Sequence, residues 1–343
     1  MKASVVIPCW NSAETLEDCL ACLRAQSLSD FEAVFVDDGS ADATGDILSR
    51  AAQGDARFRV RTFPENRGVS AARNAGLDAA RGEFVFFVDP DDTFRADMLE
   101  KGVRAMESTG VDYCVFPYRE RHVGEEGFHV VPLKGPCRHA SNAEIRREHL
   151  PRLFGYSADQ VRAWYAGAPL FAHRMHGGVV TCVFRRSVIE AHHVRFDPRI
   201  GLYEDAMFNC EYLLWARGMT CVDEPLYDYI HRTTGAIARL RRGGYEIANK
   251  FELLRKRKEL DEKGGGGLAP LYACSCVFSV LEMLRIALLD FGGFWKGMRS
   301  VRDYGSDPVV RAALRTFPLS CRRPVLACAV LLVRGALNFF QKK

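Results

Sequence analysis

The sequence predicts an α/β fold. An open Rossmann-like sheet is extended by further α/β structure and ends in a helical C-terminal region. Three observations predict it. The first 90 residues alternate strand and helix patterns with a short period. Glu83-Phe84-Val85-Phe86-Phe87-Val88 is nearly all apolar, which implies burial on both faces as in a parallel sheet. From about residue 240 the pattern becomes mainly helical.

Taken in order, Ser4-Val5-Val6-Ile7-Pro8 reads as a buried strand, followed by a helix with Asn11 or Ser12 as N-cap and Glu14 in its first turn. Phe31 to Val36 is the second strand, ended by Asp37-Asp38-Gly39-Ser40, and the next helix begins near Ala41 and Asp42. A strand over 58–62, an Ala-rich helix over 69–80 and the strand over 83–88 complete a βαβαβαβ run. Such a sheet holds ligands in loops at its strand ends. A helix over 95–108 and a strand over 113–117 follow. Residues 119–178 are less regular. A strand at 179–184, a helix from Ser187 and a helix over 204–216 restore order, and Tyr229 to Gly235 reads as a polar loop. Gly264-Gly265-Gly266-Gly267 reads as a flexible joint between helices.

The 343 residues suffice for one large or two modest cores. The formal net charge of +4 is unevenly spread: from Ala236 onward there are 20 Lys and Arg against 9 Asp and Glu, leaving the first 235 residues with 27 against 34. An acidic half suits a cation, and a basic tail suits an anionic surface. The 12 cysteines are scattered without zinc-ribbon or disulfide-framework spacing, so buried thiols in a reducing compartment are expected. The N-terminus runs straight into a strand with no secretory pattern, and the longest unbroken apolar run near the C-terminus, Val325 to Val333, is too short to span a bilayer.

Three acidic clusters carry the chemistry. Asp37-Asp38 and Asp89-Pro90-Asp91-Asp92 end the second and fourth strands, so they converge on one sheet edge. Carboxylates packed together resist ionisation unless a cation joins them, and Mg²⁺ or Mn²⁺ binds carboxylate together with phosphate oxygens. Glu204-Asp205 opens a helix, where Asp205 would serve as a general base toward a hydroxyl. Turn and N-cap roles explain each cluster singly as well. Arg67 and Arg73 lie around a helix N-terminus, where Arg73 would pair with a diphosphate or brace an Asp, and His231 or Arg232 would close over phosphates. Phe86 to Thr93 also matches the strand plus Asp-x-Asp-x-Thr of a dehalogenase-type phosphohydrolase, but three βα units precede it here. No GxGxxG follows the first strand, which excludes a dinucleotide-binding dehydrogenase.

At this point the sequence resembles a family-two glycosyltransferase with the GT-A fold. The resemblance rests, in order, on Ser4 to Asn11, Val36-Asp37-Asp38-Gly39-Ser40 with Asp42, Asn66-Arg67-Gly68 through Gly76, and Phe87 to Asp92. It continues through Val183 to Ser187, Arg195-Phe196-Asp197 and Tyr203 to Asn209, covering residues 3 to about 235. It implies that Pro8 and Trp10 line a base pocket and that Asp38 bonds the base. Arg73 would help hold the nucleotide, Asp89 would contact ribose or sugar, Asp91 would ligate Mn²⁺ or Mg²⁺ with help from Asp92, and Asp205 would be the base. Asp37, Glu204, His231 and Arg232 are further candidates. Trp10 stands where Tyr is usual, which bears on the base identity, expected to be uracil. The implied reaction moves a sugar from a nucleoside-diphosphate donor to a hydroxyl of a polysaccharide or lipid-linked glycan, with inversion. A non-catalytic nucleotide-sugar-binding partner is the alternative.

Three parts are expected: a nucleotide-sugar half over 1–117, an acceptor and base half over 118–235, and a basic helical region over 236–343. In that last region, 268–295 and 318–340 are apolar but interrupted by Glu282, Arg285 and Arg334, with Arg322, Arg323, Lys342 and Lys343 flanking. Such helices suit an anionic membrane surface or a second copy of the chain, and no nucleic-acid partner is expected. The expected location is cytoplasmic, peripheral on the inner face of the membrane.

Overall fold

The computed structural model describes residues 1–133, 140–167, 178–232, 245–289, 294–320 and 324–340. The calls on Thr233 to Gly235 and on Arg322, Arg323, Lys342 and Lys343 fall outside these residues. By spatial proximity the chain forms two units, Met1–Arg147 with Met175–Leu240, and Glu148–Arg174 with Arg241–Lys343. The described residues 148–167 thus group with the C-terminal helices, where the sequence reading places them in the acceptor half.

In the first unit, strands β1 (Ala3–Cys9), β2 (Phe31–Asp37), β3 (Phe58–Thr62) and β4 (Phe84–Phe87) form a parallel block in the order β3-β2-β1-β4. The chain builds outward from β1 on one side and then returns to β4 on the other. This leaves a crevice beyond the carboxyl ends of β1 and β4, the standard ligand position of such sheets. The apolar runs predicted for β1 and β4 are buried throughout. Beyond β4 the sheet is mixed. Strand β10 (Cys182–Arg185) is antiparallel to both β4 and β6 (Tyr113–Val115), and β11 (Gly218–Cys221) and β9 (Ala140–Ser141) follow.

A second sheet was not foreseen. Its order is β5 (Thr93–Phe94), β12 (Tyr227–His231), β7 (Tyr118–His122) and β8 (His129–Val131). Residues read as a polar loop, Tyr229 to His231, are strand, because they pair in parallel with Glu120 to His122. Local boundaries also shift. Thr15, not Asn11 or Ser12, caps the first helix, Leu16–Arg24. Asn11 instead sits at φ 49°, where its side chain accepts from Ala41 N, and Ser12 Oγ accepts from Trp10 N. The second helix starts at Thr44, with Asp42 bonding Thr44 N and Oγ1. Val179–Thr181 is a 3₁₀ turn before β10, not strand.

The second unit gathers helices around Ala269–Leu289, whose Tyr272, Cys276, Val277, Val280 and Met283 are fully buried. Its stretch Ala269–Leu288 is long and apolar enough to cross a membrane by length and composition alone. The two residues that interrupt this apolar stretch in sequence, Glu282 and Arg285, pair with each other at 2.6 Å. The glycine run is an ordered turn rather than a joint: Gly264 N, Gly265 N and Gly266 N donate to the carbonyls of Leu260, Glu262 and Asp261. Cys9, Cys19, Cys114, Cys182, Cys210, Cys274 and Cys276 are buried thiols, as expected.

Candidate active site

The site lies at the carboxyl ends of β1, β2 and β4. Two loops meet after β1 and β2: Asn11 N donates to Ser40 Oγ at 2.9 Å, and Asn11 Oδ1 accepts from Ala41 N at 2.8 Å. Gly39 has φ +67°, and a Cβ there would lie 2.5 Å from the Glu65 backbone, so only glycine lets this turn press against residues 65–66. Asp37 is buried and its carboxylate accepts from Ser40 N, so it shapes the turn. Asp38 is buried too. Its two oxygens accept from Arg67 N at 2.7 Å and Gly68 N at 2.9 Å, fastening the loop that opens the helix Val69–Ala79. Burial pushes its carboxyl up, and the two amides oppose that shift. Pro8 is buried at the end of β1, while Trp10 is 38% exposed beside it.

The helix Val69–Ala79 lies flush on β1, because a Cβ on Gly76 would collide with Val6 at 2.3 Å. This approach carries Arg73, 3% exposed, into the midst of three carboxylates. Its guanidinium donates to Asp205 Oδ1 at 2.5 Å, to Asp89 Oδ1 at 3.0 Å and to Glu204 Oε1 at 3.3 Å. The guanidinium also lies 5.3 Å from the Phe196 ring centroid. Phe196 stacks on Phe208 at 4.1 Å and meets Phe87 edge-on, so an aromatic floor supports the cation. Asn74 fixes this floor by donating to Phe196 O at 2.8 Å and accepting from Phe196 N at 2.9 Å.

Asp205 opens the helix Glu204–Trp215, where the helix dipole favours a carboxylate. Its other oxygen accepts from Val179 N at 3.3 Å. Burial pushes the Asp205 carboxyl up; Arg73 opposes the shift and Asp89 adds to it. Burial and the neighbouring Asp205 push Glu204 up to about 8, against the pull of Arg73. Arg73 holds both carboxylates, Asp205 at the shorter distance, and both carboxyls are raised by burial.

Asp89 to Asp92 form a turn closed by Asp92 N donating to Asp89 O at 3.2 Å. Asp91, near its tip, is 42% exposed in its side chain and pairs with Arg232 at 3.2 Å; Arg232 also donates to Asp91 O. Burial and Asp89 raise the Asp91 carboxyl, and Arg232 lowers it. Asp92 points the other way, buried, accepting from Tyr227 Oη at 2.9 Å and from Ile230 N at 2.8 Å. Among the described residues no group of three or more His, Cys, Asp or Glu is arranged to hold a metal. Asp91 still fits Mg²⁺ or Mn²⁺, which take one or two carboxylates and complete their shell with phosphate and water.

The structure therefore joins Arg73, Asp89, Glu204 and Asp205 in one cluster, and Asp91 with Arg232 beside it. His231 stands apart: its Nε2 lies 3.0 Å from Glu120 Oε2 and its ring stacks on His122 at 4.5 Å. Sequence reasoning missed Tyr227, Tyr229 and Asn74. The alternation in Leu226-Tyr227-Asp228-Tyr229-Ile230-His231 was the available strand signal. Burial raises the half-buried Tyr229 hydroxyl, and Asp89, Asp92, Asp91 and Asp205 add to the shift, so Tyr229 stands among the same carboxylates.

A mixed α/β sheet with acidic loops at its switch point and a helix-borne carboxylate facing them defines a glycosyltransferase with a GT-A-like architecture. Residues 4–160 match the family model described as "Glycosyl transferase family 2". The chain is 28% identical to EpsH of Bacillus subtilis (strain 168), over 96% of this chain and 91% of EpsH. It is 34% identical to the succinoglycan biosynthesis protein ExoO of Rhizobium meliloti (strain 1021), over 69% of this chain but only 62% of ExoO. The fold is similar to S. aureus TarS 1-349 in complex with UDP-GlcNAc, with TM-score 0.65 and 20% identity over 100% of this chain and 92% of that one. These likenesses make the protein a glycosyltransferase, an enzyme that transfers a sugar from a nucleotide-sugar donor to a glycan acceptor, and set aside the phosphohydrolase reading.

Proposed function

We propose that the cleft binds a nucleoside-diphosphate sugar, with UDP as its nucleotide, and transfers the sugar with inversion to a hydroxyl of a polysaccharide or lipid-linked glycan. The observation that carries this reading is the Asp89–Arg73–Asp205 bridge, which sets a helix-borne carboxylate across from the donor loop with one buried cation between them. Pro8 and Trp10 form a wall for the base, and Asp38 braces the Arg67–Gly68 loop beside it. Asp89 meets the ribose or sugar. Asp91 is the residue that would hold a divalent ion, and Arg232 takes a place beside the phosphates. A bound Mn²⁺ or Mg²⁺ would supply charge to offset that of the departing diphosphate.

Asp205 removes the acceptor hydroxyl proton as that oxygen attacks the anomeric carbon. The bond from that carbon to the diphosphate oxygen breaks in line, and the oxygen keeps the electron pair. Arg73 acts through Asp205, holding the carboxylate ionised and oriented. Glu204, protonated beside it, adds no second negative charge.

The helical unit docks, in this reading, on an anionic membrane surface where lipid-linked acceptors reside. Trp295, 81% exposed on the helix Phe294–Gly305, stands with exposed Lys296, Arg299 and Arg302. An interfacial ring among cations suits lipid headgroups. Flotation with anionic liposomes at low salt tests this part, and protein that stays unbound rejects it.

The site is tested by thermal stabilisation with UDP, GDP, CDP and dTDP, each with and without Mn²⁺. A ligand at about 100 times its dissociation constant adds about 2.7 kcal/mol. UDP is expected to stabilise the wild type in a Mn²⁺-dependent way and to lose that dependence in Asp91→Ala. No shift with any diphosphate rejects the donor site.

A further inference from the structure

Tyr227 lies in mid-sheet, fully buried, with its ring stacked on Phe94 at 6.3 Å. Its hydroxyl does two things at once. It accepts from Asp89 N at 3.1 Å and donates to Asp92 Oδ2 at 2.9 Å. These are the first and last residues of the four-residue turn that carries Asp91. The far end of this turn is held in other ways as well, by Ile230 N on Asp92 and by the pairing of β5 with β12. At the near end, the hydroxyl of Tyr227 is what ties the Asp89 backbone to β12. The Asp91 carboxylate is carried by the turn and pairs with Arg232 just beyond the strand.

We propose that Tyr227 is a positioning residue for the donor site, its hydroxyl bracing both ends of the Asp89–Asp92 turn so that Asp91 faces the diphosphate and its cation. The proposal rests on the donor-site reading above. Without the bond to Tyr227, Asp89 keeps its ion pair with Arg73 but its backbone loses the tie to β12, which would let the Asp91 carboxylate wander, and a misplaced single carboxylate is costly where the rest of the coordination shell comes from substrate and water. Phenylalanine at this position keeps the ring packing on Phe94 and removes both hydrogen bonds.

The test is calorimetric titration of Tyr227→Phe with whichever of UDP, GDP, CDP and dTDP stabilises the wild type, with and without Mn²⁺, well below the melting temperature. Tyr212→Phe is the control. Tyr212 is equally buried, and its hydroxyl donates to Asp112 O at 2.5 Å and accepts from Arg185 N at 2.8 Å, remote from the acidic turn. The expected result is a loss of about tenfold or more in diphosphate affinity in Tyr227→Phe with Mn²⁺, equivalent to about 1.4 kcal/mol. Without Mn²⁺ the change should be less than about twofold, and Tyr212→Phe should bind as the wild type does. Unchanged affinity with Mn²⁺, an equal loss without it, or an equal loss in Tyr212→Phe overturns the proposal. A wild type that binds none of the four diphosphates overturns the donor-site reading, and this inference with it.

Discussion

The parallel half of the first unit and its later half build their parts of the site by opposite means. In the parallel half the polar contacts stay within and between neighbouring loops: Asp37 holds Ser40 N three residues on, Asp38 holds Arg67 N 29 residues on, and Asp89 to Asp92 close their own turn. In the later half the contacts span the chain. Asp205 meets Arg73 across 132 residues and Tyr227 meets Asp92 across 135. A strand end in a parallel sheet places its loop by geometry that local residues dictate. A base on a distant helix is placed only by whatever it packs against.

The sharpest test of that contrast is Asp205→Asn. Loss of a general base is expected to lower kcat by about 10²–10⁴ while leaving nucleotide affinity unchanged. A coupled-assay rate near wild type would reassign the base. Next comes Arg73→Met, which leaves Asp89, Glu204 and Asp205 facing one another without their buried cation. A stability loss of about 3 kcal/mol is expected in denaturant unfolding. A loss below about 0.5 kcal/mol would mean that the bridge does not join the two halves. Asn74→Ala removes two hydrogen bonds to the Phe196 backbone and should cost about 2 kcal/mol. Kinetics in which this variant matches the wild type would separate the aromatic floor from the base.

The effect of pH is smaller and has a definite sign. Glu204 holds its proton to about pH 8 when folded, against an ordinary value of 4.5. Between those values the folded chain carries a proton that the unfolded chain lacks, so stability falls as pH rises through this window. Glu204→Gln should flatten that slope in melting temperature measured from pH 5 to 9, and an unchanged slope would remove Glu204 as its source. Asp205 is also raised, so the acid limb of the rate profile should lie above the ordinary Asp value of 3.8.

The sequence was legible wherever one element suffices. The apolar runs of β1 and β4 could only be covered on both faces, and the acidic residues that end β2 and follow β4 could only lie at one sheet edge. The order of those motifs carried the family. It left open what each carboxylate touches: Asp91 and Asp92 are neighbours in sequence, yet one reaches the cleft with Arg232 and the other is buried against Tyr227. The second sheet was unreadable for a similar reason. Tyr227 to His231 becomes strand by pairing with residues more than a hundred positions earlier, and a five-residue stretch of mixed polarity does not reveal such a partner. Arg73 shows the division most plainly. Its residue type and its place early in a helix suggest an anion-binding cation, and the chain alone determines that much. Only the packing of Gly76 on Val6 and of Phe196 beneath the guanidinium decided that its anions are Asp89, Glu204 and Asp205, because a buried cation takes the carboxylates that the tertiary structure brings to it.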